Sequence, residues 1–138
     1  MSSIARFGVS LDKGLLEKFD KLIESRSYTN RSEAFRDLIR QELVKKEWQD
    51  ANEVTGAVTL IYDHHRRELV NKLLDIQHDF SLCIISAQHI HIDHNNCLEI
   101  LAVKGSPEKV QRLSDNLKAV KGVKHSTLSM STTGKDMI

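Results

Sequence analysis

The first fifty residues hold the pattern of one strand and two helices, and a segment of that kind cannot complete a fold by itself. In residues 4 to 11 the apolar Phe7, Val9 and Leu11 alternate with Arg6, Gly8 and Ser10, the period of a half-buried strand. Asp12 stands where it can cap the helix that follows, whose Leu15, Phe19, Leu22 and Ile23 recur at helical spacing with Leu16 beside them. Ser27-Tyr28-Thr29-Asn30 interrupts that helix. Asn30, with Glu33 after it, opens a second helix in the manner of a capping box, and Phe35, Leu38, Ile39 and Leu43 form its stripe. Both stripes read as core-packing surfaces. A lone strand leaves its backbone donors and acceptors unpaired, and about fifty residues bury too little apolar surface to be stable. A second copy would answer both problems, its strand pairing antiparallel with the first and its helices interlocking.

The chain divides near residues 47 to 53, giving domains at 1–50 and 51–138 joined by a connector at 47 to 52. Beyond it the order reads strand, helix, strand, strand, helix, strand. Residues 54 to 63 are rich in Val, Thr, Leu, Ile and Tyr, as a strand should be. Residues 64 to 77 read as a helix with Leu69, Leu73 and Ile76 inward, and residues 81 to 92 and 97 to 104 as the strands of a hairpin. Gly105-Ser106-Pro107-Glu108 is a helix start, with Ser as cap, Pro in the first turn and Glu complementing the dipole. Val110, Leu113, Leu117 and Val120 form that helix's apolar stripe, Gly122 stops it, and residues 123 to 130 make the last strand before a loose tail. The expected fold is therefore α+β: a βαα head, then a ferredoxin-like βαββαβ domain with two helices on one face of a four-stranded antiparallel sheet.

The hairpin carries the chemistry. Gln88-His89-Ile90-His91-Ile92-Asp93-His94-Asn95-Asn96-Cys97 packs three histidines and one of two cysteines into ten residues. Imidazole nitrogen and thiolate sulfur are ligands for nickel, copper and zinc. His89 and His91 project from one face of their strand, and Cys97 joins them only if the loop has odd length. A loop of His94-Asn95-Asn96, with Asp93 opposite Cys97, meets that condition and brings Glu99 to the same face. Three ligands leave one position open, for water or for another side chain. Of His64, His65, His78 and His125, His78 at a helix end is the first candidate.

Composition limits the remaining choices. At 138 residues, 40% hydrophobic and 28% charged, the chain suits one ordinary domain or two small ones. No apolar run approaches the ~20 residues of a membrane span. Two cysteines without a spacing pattern make no disulfide framework, which favours a reducing cytoplasm, and Cys83 in Leu82-Cys83-Ile84-Ile85 reads as a core residue. The net charge of +1 announces neither nucleic acid nor membrane. Residues 1 to 50 hold ten Lys or Arg against nine Asp or Glu, so any DNA contact must come from the placement of charge.

Residues 4 to 45 resemble the ribbon-helix-helix family of DNA-binding dimers, with Thr29-Asn30-Arg31-Ser32-Glu33-Ala34 where that family has its Asn/Ser-Arg-Ser-Glu signature. The resemblance implies that the paired strands enter the major groove, with Arg6, Gly8 and Ser10 facing the bases. It also implies a phosphate anchored by the free N–H groups near Asn30, Arg31 and Ser32. Gly8 departs from the many members that carry a polar side chain there, which shifts base reading to Arg6 and Ser10. The alternative for this head is a pure dimerisation module.

Residues 5 to 130 together resemble the NikR family of nickel-responsive transcriptional regulators, a ribbon-helix-helix head with an ACT-like metal-sensing domain. The most specific match is Gln77-His78 with His89-x-His91-x-x-His94-x-x-Cys97-Leu98-Glu99. That resemblance implies a planar nickel site, one per subunit, built from His89, His91 and Cys97 of one chain and His78 of a neighbour. It implies a homotetramer in which two head dimers flank four sensing domains, an operator duplex as partner, and repression of nickel uptake genes. The stretch Tyr62-Asp63-His64-His65-Arg66-Arg67-Glu68-Leu69 also matches, and there Arg66 or Arg67 is expected to touch the DNA backbone. Glu99 is expected to orient a ligating imidazole. Glu33 and Asp37, one turn apart, would hold a monovalent cation between head and sensing domain. Two other classes stay open on the residues alone: a zinc hydrolase using the hairpin ligands, and a metal-storage or chaperone protein. Metal-dependent, sequence-specific DNA binding separates both from a regulator.

Overall fold

A computed structural model describes residues 3–137. The chain divides into two compact units, with the boundary between Leu43 and Val44.

In the first unit, residues 3 to 12 run extended and exposed and form no strand. A strand is defined by backbone bonds to a neighbour, and the described residues supply none, so the expected strand lacks its partner. Helix α1 (Lys13–Ser25) follows, and the Asp12 carboxylate accepts the amides of Gly14 at 2.8 Å and Leu15 at 3.3 Å. Helix α2 (Arg31–Asp50) opens with Asn30 Oδ1 accepting the Glu33 amide at 2.9 Å, the cap that the sequence suggests. Ile23 and Ala34 are buried between the helices, and the Phe19 and Phe35 rings pack at 5.2 Å. The rest of both stripes does not reach a core of this chain. Leu15, Leu22, Leu38, Ile39 and Leu43 are exposed, as are Phe7, Val9 and Leu11. Two helices and one extended segment enclose too little volume to cover them.

The second unit begins inside α2. Glu47 to Asp50 are helical, not a loose connector as the sequence suggested. Trp48 Nε1 donates to the Ser131 carbonyl at 2.8 Å and Thr132 Oγ1 donates to Glu47 Oε2 at 2.8 Å. Strands β1 (Val54–Tyr62), β2 (Ile84–His91), β3 (Cys97–Gly105) and β4 (His125–Met130) form one antiparallel sheet in the order β2-β3-β1-β4. Helices α3 (Arg67–Asp79) and α4 (Pro107–Lys118) supply the rest of the core. Val58, Leu60 and Tyr62 of β1 meet Leu101 and Val103 of β3, Leu69 and Leu73 of α3, and Val110, Leu113 and Leu117 of α4. Cys83, at the end of a 3-10 turn (Ser81–Cys83), is buried in that core. Truncating any of the fully buried leucines to Ala would cost about 2–5 kcal/mol.

Three element starts differ by two residues or more from those read off the sequence, and the first is β2, which begins at Ile84 instead of residue 81 because residues 81 to 83 form the 3-10 turn. Helix α3 starts at Arg67, not at His64, because the Asp63 carboxylate accepts the His65 amide at 2.9 Å and folds residues 63 to 66 into a turn. Strand β4 starts at His125, two residues later than expected. No helix among the described residues is long and apolar enough to cross a membrane.

Candidate functional site

The hairpin of β2 and β3 positions the proposed donors. His91 lies opposite Cys97 and His89 opposite Glu99. Residues directly opposite in an antiparallel pair share a face, so all four belong to the helix-covered side, where Leu101 and Val103 also lie. The loop is not the expected three residues. Residues 92 to 96 connect the strands, and Asp93 lies within the loop instead of opposite Cys97. Its carboxylate accepts the Asn95 amide at 2.9 Å and the Asn96 side chain at 3.0 Å, which draws it into the turn. The loop is longer by two residues yet still odd, so the shift keeps every side chain on its predicted face.

Depth in the sheet sets the character of each group. Cys97 on β3 is buried, while His89 and His91 sit on the edge strand β2 and stay accessible. Glu99 is a fully buried carboxylate, at 0% exposure. Its Oε1 accepts from Gln77 Nε2 at 3.1 Å and Tyr62 OH at 3.4 Å. Its Oε2 lies 2.6 Å from His89 Nε2 but has no aligned hydrogen-bond donor. Burial pushes the Glu99 carboxyl above its ordinary value, against the pull of His89. Burial, with Glu99 and Cys97 adding to it, pushes the Tyr62 phenol up as well. An incompletely satisfied buried anion beside an imidazole and a thiol is a setting that a bound cation would relieve. The donors fit a soft or borderline divalent metal.

His89, His91 and Cys97 do not close into a finished site within one chain. Among the described residues the set of three donors already within 4.8 Å of one another is Asp63, His64 and His65. This cluster borders the hairpin: His64 stacks on His91 with ring centroids 4.4 Å apart, and His65 lies 4.9 Å from His94. His64 Nδ1 is buried without a partner, and burial together with His65 and His91 holds the ring below its usual pKa, in the neutral form that ligates metals. The sequence ranks His64 and His65 behind His78 for the open position, and it gives no sign that they lie against His91 and His94. Nor did it foresee that Gln77 and Tyr62 would hold Glu99. His78 is exposed in the last turn of α3, away from any partner among the described bonds.

The residues expected at DNA are distributed over both units. Arg6, Gly8 and Ser10 are exposed on the extended segment, and Asn30, Arg31 and Ser32 stand at the start of α2. Arg31 forms a fork with Asp20 of α1, Nε to Oδ1 at 2.9 Å and Nη2 to Oδ2 at 2.8 Å. Arg66 and Arg67 line a cleft of about 520 Å³ with Lys72 and Lys121. Asp37, expected beside a cation with Glu33, instead accepts from Tyr28 OH and from Gln41 Nε2.

Fold and site define a two-part chain: a two-helix head that leaves many of its apolar side chains uncovered, and an α+β unit carrying a group of metal-ligating side chains. The family described as "Ribbon-helix-helix protein, copG family" matches residues 5–46, and "NikR C terminal nickel binding domain" matches residues 55–131. A relative in Syntrophus aciditrophicus is 64% identical over 98% of each chain and is named "Putative nickel-responsive regulator". Relatives of the same name in Chlorobium phaeobacteroides and Solibacter usitatus are 61% and 55% identical, the first over 96% of this chain and 98% of its own, the second over 99% of both. An uncharacterized protein from Thermotoga maritima shares the fold, with a TM-score of 0.52 and 18% identity over 56% of this chain and 96% of its own. The chain belongs to the NikR family of nickel-responsive regulators. It is a transcription regulator with a DNA-binding head and a nickel-binding domain, not an enzyme.

Proposed function

We propose that this regulator is a cytoplasmic repressor of nickel uptake genes, acting as a homotetramer whose heads grip an operator when nickel is bound. One nickel per chain sits in a planar site of His89, His91 and Cys97, completed by a neighbouring chain's copy of His78. A planar set of nitrogen and sulfur donors suits Ni(II) or Cu(II) better than tetrahedral zinc. Glu99 steers the His89 ring from behind.

The observation that carries this reading is the incompleteness of the donor set. Three donors share one face at the edge of the sheet, while the fourth stands exposed on α3 of the same chain. A site split between chains makes metal binding an assembly event, and thereby couples it to whatever the assembly holds. The heads need assembly for their own reason, since Phe7, Val9 and Leu11 are uncovered in one chain. Paired, those strands would present Arg6, Gly8 and Ser10 to the bases, while the α2 amides and Arg66 and Arg67 take phosphates. A monovalent cation at Glu33 and Asp37 would have to share Asp37 with Tyr28 and Gln41.

The test is His78→Ala. The variant should remain tetrameric but bind nickel more weakly and lose most of the nickel-dependent gain in operator affinity, a coupling of ~1–3 kcal/mol. Nickel affinity of the parent should rise in return when operator is present. A His78→Ala protein that responds to nickel like the parent would remove the shared site.

A further inference from the structure

Arg31 is the first residue of α2, a place where a cation opposes the helix dipole. An arginine there needs an anion, and two are on offer: a DNA phosphate or a carboxylate of its own chain. The structure supplies the carboxylate. Both Asp20 oxygens are used, by Nε at 2.9 Å and Nη2 at 2.8 Å, the side-on fork that suits guanidinium to carboxylate. A phosphate beyond this pair meets a neutral unit, not a free positive charge.

The fork lies beside the helix crossing. Asp20 follows Phe19 on α1, and Arg31 stands one turn before Phe35 on α2, the two rings that pack at 5.2 Å. Fork and ring pair together fix how the start of α2 is held against α1. That start has four amides without helical partners. Asn30 takes one of them, the Glu33 amide through its side chain at 2.9 Å, while its carbonyl accepts the Ala34 amide in the first regular helical bond. Among the described bonds, the amides of Arg31 and Ser32, with that of Asn30, have no acceptor.

We propose that Asp20 and Arg31 are a positioning pair for DNA binding: the fork sets the angle at which the Arg31 and Ser32 amides meet a phosphate, and Arg31 directs its charge to Asp20. This inference rests on the head gripping DNA through the start of α2. The two accounts of Arg31 predict opposite signs. If Arg31 binds phosphate directly, Asp20 is a competitor and removing its charge should tighten binding. If the pair positions the helix, the same change should weaken it.

The test uses full-length, nickel-loaded protein and a duplex selected by the parent from a random library, titrated over a range of salt. Asp20→Asn should weaken binding roughly two- to fivefold per chain, the scale of an exposed ion pair. Arg31→Ala should lose as much, Arg31→Lys should fail to rescue because an ammonium cannot make the fork, and the double variant D20N/R31A should lose no more than either single. The slope of log affinity against log salt should match the parent in all four. Tighter binding by Asp20→Asn, parental binding by Arg31→Lys, or a slope reduced by about one for Arg31→Ala would each overturn the pairing. Failure of the parent to select any duplex would instead defeat the DNA reading beneath it. Should Arg31→Ala fail to fold, Asp20→Asn and Arg31→Lys, which keep the size of the side chain, still decide between the two signs.

Discussion

Replacing Glu99 by Gln keeps the shape of the side chain and removes one buried negative charge, and its consequences for metal and for stability run in opposite directions. The carboxylate sits at 0% exposure, held by Gln77 at 3.1 Å and Tyr62 at 3.4 Å, with Oε2 2.6 Å from His89 Nε2. A carboxylate favours the tautomer with the proton on Nε2, which leaves the lone pair on Nδ1, and it stabilises positive charge gathered by the ring. An amide does neither reliably, because its own N–H groups now compete for the same position. Loss of such a supporting partner typically weakens metal binding about 10- to 100-fold, or about 1.4–2.7 kcal/mol. The metal-free protein should gain. Burial raises the Glu99 carboxyl, so its contribution to stability is intact below the unfolded-state value of about 4.3 and is lost as pH climbs through the folded value. Metal-free Glu99→Gln should therefore be more stable than the parent at neutral pH, and the difference should close toward pH 4. Nickel titration against a competing chelator, paired with urea unfolding followed by the emission of Trp48, the single tryptophan, reads both effects. Nickel affinity within twofold of the parent, or a metal-free variant less stable at pH 7, would refute the reasoning.

Gly56→Ala should destabilise the second unit by about 1–3 kcal/mol, because the new Cβ would lie 2.7 Å from the Ser129 carbonyl oxygen, a backbone atom of β4 that cannot move without opening the sheet. An unchanged urea midpoint would show that the strands accommodate it. Ser27, at φ 65°, is a non-glycine residue in left-handed backbone between α1 and α2; Ser27→Gly should stabilise the head by about 0.5–1 kcal/mol, and a lowered melting temperature would contradict this. Nickel affinity should fall on acidification, since protons compete with the metal for imidazole nitrogen and thiolate sulfur. A flat profile between pH 7.5 and 5.5 would argue against His89, His91 and Cys97 as the set.

Local periodicity made much of this protein legible from its residues. Alternation in residues 54 to 62 and 97 to 105, the Ser106-Pro107 helix start and the Asn30 cap are decisions taken within a few residues, and each stands where the pattern places it. The shared face of His89, His91, Cys97 and Glu99 was also readable, because face depends only on whether the loop is odd or even. Length and partner are different matters. Five loop residues instead of three follow from Asp93 bonding to Asn95 and Asn96, a competition between side chain and backbone that periodicity does not report. The late start of α3 has the same cause at Asp63. Long-range pairings lay further out of reach: Arg31 with Asp20, Trp48 with Ser131, and Gln77 and Tyr62 with Glu99 join positions whose separation along the chain says nothing of their distance in space. Residue type and spacing alone marked His89, His91 and Cys97 as donors a metal could use, while the residues expected at DNA follow from the family resemblance. Only the tertiary structure decided which charges are already spent within the chain and which donors remain uncommitted, because burial and pairing are properties of packed neighbours.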